Sequence, residues 1–120
     1  MSCPHLDIEF ITKLETYPVL DDSITISANV KICKDCNKEL FDMEADTKNI
    51  IFAYRVYKQR HNLLQSEEIV ALRERLNLSQ AELANLLQCT KNEVIRFERG
   101  CIQTREQNNK LLALQNINKL

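Results

Sequence analysis

The chain is short of several residue types, and each shortage argues against a class of protein. A single glycine cannot build a glycine-rich phosphate-binding loop. No apolar run is long enough to cross a bilayer, so we expect no membrane association. Five cysteines, an odd number, without a secretory segment favour the reducing cytoplasm over a disulfide framework. No nucleophile, base and orienting residue occur together, so we expect a protein that is not an enzyme.

Charge is divided unevenly along the chain, although the net charge is only −1. Residues 1–46 carry ten acids and four lysines, whereas residues 47–65 carry four cations and no acid. Residues 66–120 are close to balanced. The acidic and basic parts are thus separated in sequence, as expected if only one end of the chain meets nucleic-acid phosphate.

Residues 72–100 have the apolar spacing of three short helices that share one small core. The first break falls at Asn77-Leu78 and the second at Gln88-Cys89. The residues expected in the shared core are Leu72, Leu76, Leu78, Leu83, Leu86, Leu87, Val94 and Phe97. Three amphipathic helices joined by such short breaks predict a helix-turn-helix.

Start and stop signals delimit the second and third of these helices. Ser79 with Glu82, and Thr90 with Glu93, have the spacing of capping boxes. Gly100 follows the third helix, where a residue with left-handed backbone angles is favoured. The helix bounds are therefore predicted independently of the apolar pattern.

The third helix separates a core-facing side from an outward side when residues 90–99 are wound at helical period. The outward side carries three cations, an amide and one branched apolar residue: Lys91, Asn92, Ile95, Arg96 and Arg99. An amide pairs with adenine, arginine pairs with guanine, and an aliphatic group contacts the thymine methyl. An ordinary solvated helix face has the same pattern, but within this two-helix frame we interpret it as a face that reads double-stranded DNA.

A family resemblance supports this interpretation. The segment SQAELANLL at 79–87, with RFERG at 96–100, resembles the helix-turn-helix of Xre/Cro-type regulators. Residues 53–87 are similar to the YgiT/MqsA-type zinc-finger antitoxins, and the resemblance extends over nearly the whole chain. It implies an antitoxin and transcriptional regulator that represses the operon encoding it and its toxin. The alternative is a protein-interaction adaptor whose DNA face is vestigial.

The resemblance also implies roles for individual residues. Asn92 and Arg96 match the base-reading positions of MqsA-type proteins, and Gln80 matches a glutamine that supports the contact with the DNA backbone. Two positions depart from the family pattern. Gln88 stands where glycine is usual, and Phe97 stands where tyrosine is frequent.

The N-terminal part is predicted to be a β-hairpin. Residues 8–17 are rich in Ile, Phe and Thr, and residues 24–32 alternate strictly between apolar and polar side chains. Pro18 and Asp21-Asp22 mark the turn between them. Such a hairpin brings residue 3 close to residue 33.

A metal site is predicted at the open end of this hairpin. Cys33 and Cys36 have the spacing of a zinc knuckle, and Asn37 tolerates the positive φ that follows one. The resembling family supplies the other ligands from an N-terminal Cys-Pro-x-Cys; here Cys3 is present, the second cysteine is missing, and His5 lies one residue early. We predict a structural zinc on these four residues, with the fourth ligand left open. The alternatives are a metal-free hairpin and a Cys33–Cys36 redox pair.

The expected fold class is α+β, with a zinc-ribbon-like β domain over 1–42, a linker helix over 43–65 and a helix-turn-helix domain over 66–120. Ser66, ahead of two acids, is predicted to cap the first helix of that domain. A last helix over 104–120 has more apolar residues than docking requires, namely Leu111, Leu112, Leu114 and Ile117. This surplus predicts a homodimer face. The acidic hairpin would suit a basic toxin.

Overall fold

The computed structural model describes residues 3–117 and confirms the α+β class. Within that range, a three-stranded antiparallel sheet with the order β1-β2-β3 precedes five helices. The strands are β1 (Ile8–Val19), β2 (Asp22–Cys33) and β3 (Glu39–Leu40). The chain divides into two compact units, residues 1–57 and residues 58–120, and this division falls inside the segment predicted as a linker.

The hairpin between β1 and β2 turns two residues later than the proline suggests. Pro18 lies within β1, opposite Ser23, so the expectation that it marks the turn is wrong. β1 is an edge strand, where a proline disturbs the hydrogen-bond ladder least. The turn residues are Leu20 and Asp21, and Leu20 has a φ of 54°.

The predicted alternation along β2 is confirmed. Its buried side chains are Ile24, Ile26, Ala28, Ile32 and Cys33. Helix α1 (Met43–Arg60) contributes buried Asn49, Ala53 and Tyr57, which are spaced by four residues and so lie on one helix face. The hairpin unit therefore has a small core of its own.

Two side chains tie α1 to the hairpin. The Asn49 amide accepts from the backbone N–H of Asn29 at 3.1 Å and donates to its C=O at 2.8 Å. The Tyr57 hydroxyl donates to a carboxylate oxygen of Asp21 at 2.9 Å. Most of the predicted linker helix is thus part of the N-terminal unit, because a buried amide and a phenol satisfy polar groups of the hairpin.

The second unit is built on four helices: α2 (Ser66–Arg75), α3 (Gln80–Leu87), α4 (Lys91–Glu98) and α5 (Arg105–Gln115). Its core contains Leu64, Ile69, Leu72, Leu83, Ala84, Leu87, Val94, Phe97 and Leu111. Leu76 and Leu78 pack against it as partly buried residues. Leu86 was expected in the core and is 49% exposed, because it lies on the far side of α3 from its buried neighbours.

The predicted capping boxes of α3 and α4 are both present. The Ser79 hydroxyl accepts from the N–H of Glu82 at 3.0 Å, and the Glu82 carboxylate accepts from the N–H of Ser79 at 2.8 Å. Thr90 caps α4 in the same way. The predicted cap of α2 is wrong by one residue: Gln65 is the N-cap, because its N–H donates to Glu68, three residues on.

Helix α5 ends at Gln115, and residues 118–120 of the predicted last helix lie outside the described range. Leu111 is fully buried and Leu114 packs on the core, whereas Leu112 and Ile117 are exposed. Only part of the expected apolar surplus is therefore free. Among residues 3–117, no helix has both the length and the apolar character needed to cross a membrane.

Candidate functional site

The four residues predicted to bind metal come together at the open end of the hairpin. The side-chain ligand atoms of Cys3, His5, Cys33 and Cys36 all lie within 4.8 Å of one another. The Sγ atoms of Cys3 and Cys33 are 3.5 Å apart, and Cys36 Sγ is 3.6 Å from His5 Nδ1. Residues more than 25 positions apart in sequence thus form one cluster.

The strand register explains this cluster. Ile8 pairs with Cys33, so the residues just before β1 lie beside the end of β2, and the N–H of Lys34 donates to the C=O of Asp7 at 2.8 Å. The knuckle then folds back on itself, because the N–H of Asn37 donates to the C=O of Cys33 at 2.7 Å. Asn37 has a φ of 62°, as expected from the sequence.

The cluster fits a tetrahedral metal. Thiolates bound to zinc at about 2.3 Å lie about 3.8 Å apart, close to the separations in the cluster. Three thiols and one imidazole are a donor set used by structural zinc sites. His5 reaches the cluster despite its early position, and its backbone there has a left-handed φ of 55°. The four residues are therefore a candidate metal site.

The thiols of the cluster have unequal acidities. The pKa of Cys33 is lowered to about 6, mainly by the hydrogen bond to the His5 side chain and also by backbone N–H groups of the knuckle. For Cys3, a hydrogen bond with the His5 backbone lowers the pKa, but the hydrogen bond with the Cys33 side chain and the desolvation of the thiol together raise the pKa by more. The net shift of the Cys3 pKa is therefore upward. A thiolate on Cys33 at neutral pH suits metal binding, which requires deprotonated cysteine.

The second set of predicted site residues lies on α4. Lys91, Asn92, Arg96 and Arg99 are exposed, and Ile95 is half-buried. Val94 and Phe97 on the opposite side are buried, so the predicted division of the helix is observed. The five outward side chains, Lys91, Asn92, Ile95, Arg96 and Arg99, are called the α4 outward face below.

A residue with a positive φ lies near each end of α4. The residue before the turn, Gln88, has φ 57° and ψ 45°, so it adopts the left-handed conformation that glycine usually provides there. Lys110 of α5 donates to Gln88 Oε1 at 2.7 Å. At the other end Gly100 has a φ of 115°. The replacement of glycine by Gln88 leaves the turn intact.

Gln80 is placed at the start of α3, as predicted, but its side chain has a partner that the sequence did not reveal. Its Nε2 donates to Glu98 Oε1 at 3.1 Å, and Glu98 also binds Arg73. Glu98 lies one helical turn after the buried Val94, where a carboxylate needs a partner. The four-residue spacing from Val94 is the sequence signal that could have identified Glu98.

Comparison with known proteins identifies the family. A family model described as "Antitoxin component of bacterial toxin-antitoxin system, MqsA" matches residues 1–118. No curated protein matches the chain. The match spans both units, including the metal cluster and the α4 outward face. The chain belongs to the MqsA family, the antitoxin components of bacterial toxin-antitoxin systems.

Proposed function

We propose that this antitoxin is a sequence-specific DNA-binding repressor of the operon that encodes it and its toxin. The observation that carries the proposal is the α4 outward face, which places an amide, an apolar group and three cations on one exposed helix surface. Arginine and asparagine make the bidentate base contacts that discriminate sequence in the major groove. Lysine and arginine at the edges of such a face supply salt-dependent affinity for phosphate.

Within this face, Asn92 and Arg96 are the base-reading residues. They are four residues apart on α4, so both side chains project from the same side over adjacent base pairs. Lys91 and Arg99 stand at the two ends of the face, where they reach the phosphates that border the groove. Ile95 lies between them and provides a contact for a thymine methyl.

The repressor acts as a homodimer on a palindromic site. Two copies place their α4 helices about 34 Å apart, one turn of the double helix. The exposed side chains of Leu112 in α5 and of Ile117 just after the helix belong to the contact between copies. Dimerisation adds a second half-site, which raises both affinity and the length of sequence that is read.

The hairpin unit binds the toxin and holds a structural zinc. Ten acids among residues 1–46 favour a basic partner by charge complementarity. Zinc on the four-residue cluster would link the segment before β1 to the end of β2. A unit with so small a core needs such a link for its stability. The chain performs no catalysis in this scheme.

Single substitutions on α4 test the proposal. Asn92→Ala and Arg96→Ala are expected to weaken binding to the DNA directly upstream of the coding sequence by about 1–3 kcal/mol each. Binding to a random duplex of equal length should change far less. Asn109→Ala removes an exposed amide from α5 and is the matched control, expected to bind like the wild type. Equal losses on both duplexes, or no binding by the wild type, would reject base reading.

A further inference from the structure

A mostly buried carboxylate connects the helices of the helix-turn-helix. The Glu98 side chain is 9% exposed and accepts from Arg73 Nε at 2.6 Å and from Arg73 Nη2 at 3.2 Å. Arg73 Nη1 also donates to the C=O of Leu78 at 3.1 Å. The carboxylate raises the pKa of Arg73 through this hydrogen bond. One paired charge thus links α2, the following turn and α4.

The same carboxylate holds a third side chain. Glu98 Oε1 accepts from Nε2 of Gln80, the first residue of α3. An amide nitrogen carries two hydrogens, so the one that Glu98 does not accept remains available to a phosphate oxygen at the α3 N-terminus. A glutamine side chain loses substantial rotamer freedom when it binds, and a fixed amide has lost that freedom beforehand.

We propose that Glu98 is a positioning residue for the DNA backbone contact: its carboxylate orients the Gln80 amide toward a phosphate, and Arg73 holds the carboxylate in place. Glu98 does not itself touch DNA in this arrangement. The inference rests on the proposed function, because it requires the Gln80 side chain to contact a phosphate when the α4 outward face is bound to DNA.

A positioning role and a simple charge effect predict opposite changes in DNA affinity for Glu98→Gln. Removing an acid near a phosphate backbone lowers the repulsion, so Glu98→Gln would raise DNA affinity if charge were its only contribution. Positioning predicts a loss of affinity, because the neutral amide at position 98 no longer presents two acceptor oxygens to Arg73 and Gln80. Glu74→Gln removes an exposed acid from α2 and is the matched charge control.

A double-mutant cycle on DNA affinity separates positioning from a merely structural role. The proteins are the full chain as wild type, Gln80→Ala, Glu98→Gln and the double variant, and the probes are the upstream duplex and a random duplex of equal length. Gln80→Ala alone should weaken binding to both duplexes by about tenfold, the effect of losing one hydrogen bond to a charged group. In the Glu98→Gln background, the same change should have little further effect.

The results of this cycle distinguish a failure of the positioning role from a failure of the proposed function. The same loss from Gln80→Ala in both backgrounds would overturn the positioning role while leaving the proposed function standing. Absence of DNA binding by the wild type would overturn both. If Glu98→Gln does not fold, nitrogen-edited NMR of the free wild type decides: one Gln80 side-chain N–H should exchange slowly with water, and two equally fast hydrogens would overturn the proposal.

Discussion

At the residue scale, the scarcity of glycine is met by other residues that adopt left-handed backbone angles. In the described part of the chain, six non-glycine residues have a positive φ: His5, Leu20, Asn37, Asn62, Asn77 and Gln88. Three of them are asparagine, the residue that tolerates this conformation best after glycine. His5 and Asn37 serve the metal cluster and Gln88 serves the turn before α4, so half of these positions shape a candidate site.

Leu20 is the least favourable of these residues, because its side chain is bulky and 75% exposed. Leu20→Gly is expected to raise the free energy of unfolding of the hairpin unit by about 0.5–1 kcal/mol, the relief of the left-handed conformation less the added entropy of the unfolded glycine. Urea denaturation measures the change.

Leu14→Gly is the control for that measurement. Leu14 is equally exposed but lies in the regular part of β1, so glycine there should destabilise the hairpin. A loss of stability in Leu20→Gly similar to that in Leu14→Gly would contradict the strain assigned to the turn.

At the element scale, local spacing predicted the starts of α3 and α4, but it did not predict that α1 is attached to the hairpin. The spacing of Ser79 with Glu82, and of Thr90 with Glu93, is sufficient to place two N-termini, because both partners of each capping box lie within four residues. The attachment of α1 to the hairpin through Asn49 joins residues 20 positions apart. No local pattern records such a contact.

The capping box of α3 makes the stability of the helical unit sensitive to acid. Hydrogen bonds from the backbone and side chain of Ser79 lower the pKa of Glu82 below its usual 4.5. The stabilisation is therefore complete above pH 4.5 and is lost as the pH falls through the lowered folded-state pKa. Glu82→Gln should be less stable than the wild type near neutral pH, and the difference should shrink as the solution is acidified.

Thermal unfolding at a series of pH values measures this difference. Glu74→Gln, at an exposed acid of α2, is expected to follow the wild type throughout. A difference between wild type and Glu82→Gln that stays constant down to strongly acidic pH would show that the Glu82 charge has no part in the cap.

At the scale of the whole molecule, metal removal should affect the two units unequally. All four residues of the metal cluster lie in the unit 1–57, whereas the unit 58–120 has an apolar core of its own. Purified protein is expected to contain one zinc per chain, and Cys36→Ser should lose it. Calorimetry should then show a lower melting temperature for the hairpin unit alone, because metal-binding free energy is folding free energy for a small domain.

Cys101→Ser is the matched control, since this half-buried cysteine lies outside the cluster. The Cys101→Ser variant should keep the zinc and should show both unfolding transitions at the wild-type temperatures. Retention of zinc by Cys36→Ser, or an unchanged hairpin transition after treatment of the wild type with a chelator, would count against a structural metal at this cluster.

The family resemblance pointed to Cys3 and His5 as metal ligands, whereas the sequence by itself determined the helix periods, the strand alternation, the side of α4 that faces outward and the Cys33–Cys36 knuckle. Each of these patterns follows from short-range spacing, because an amphipathic period and a Cys-x-x-Cys knuckle both involve only a few neighbouring residues. Tertiary structure alone decided that Pro18 stays in β1, that α1 is bound to the hairpin through Asn49, and that Leu86 faces solvent. It also decided that Glu98 joins Gln80 to Arg73, because the partners of a buried polar group are chosen by which chain segments pack together.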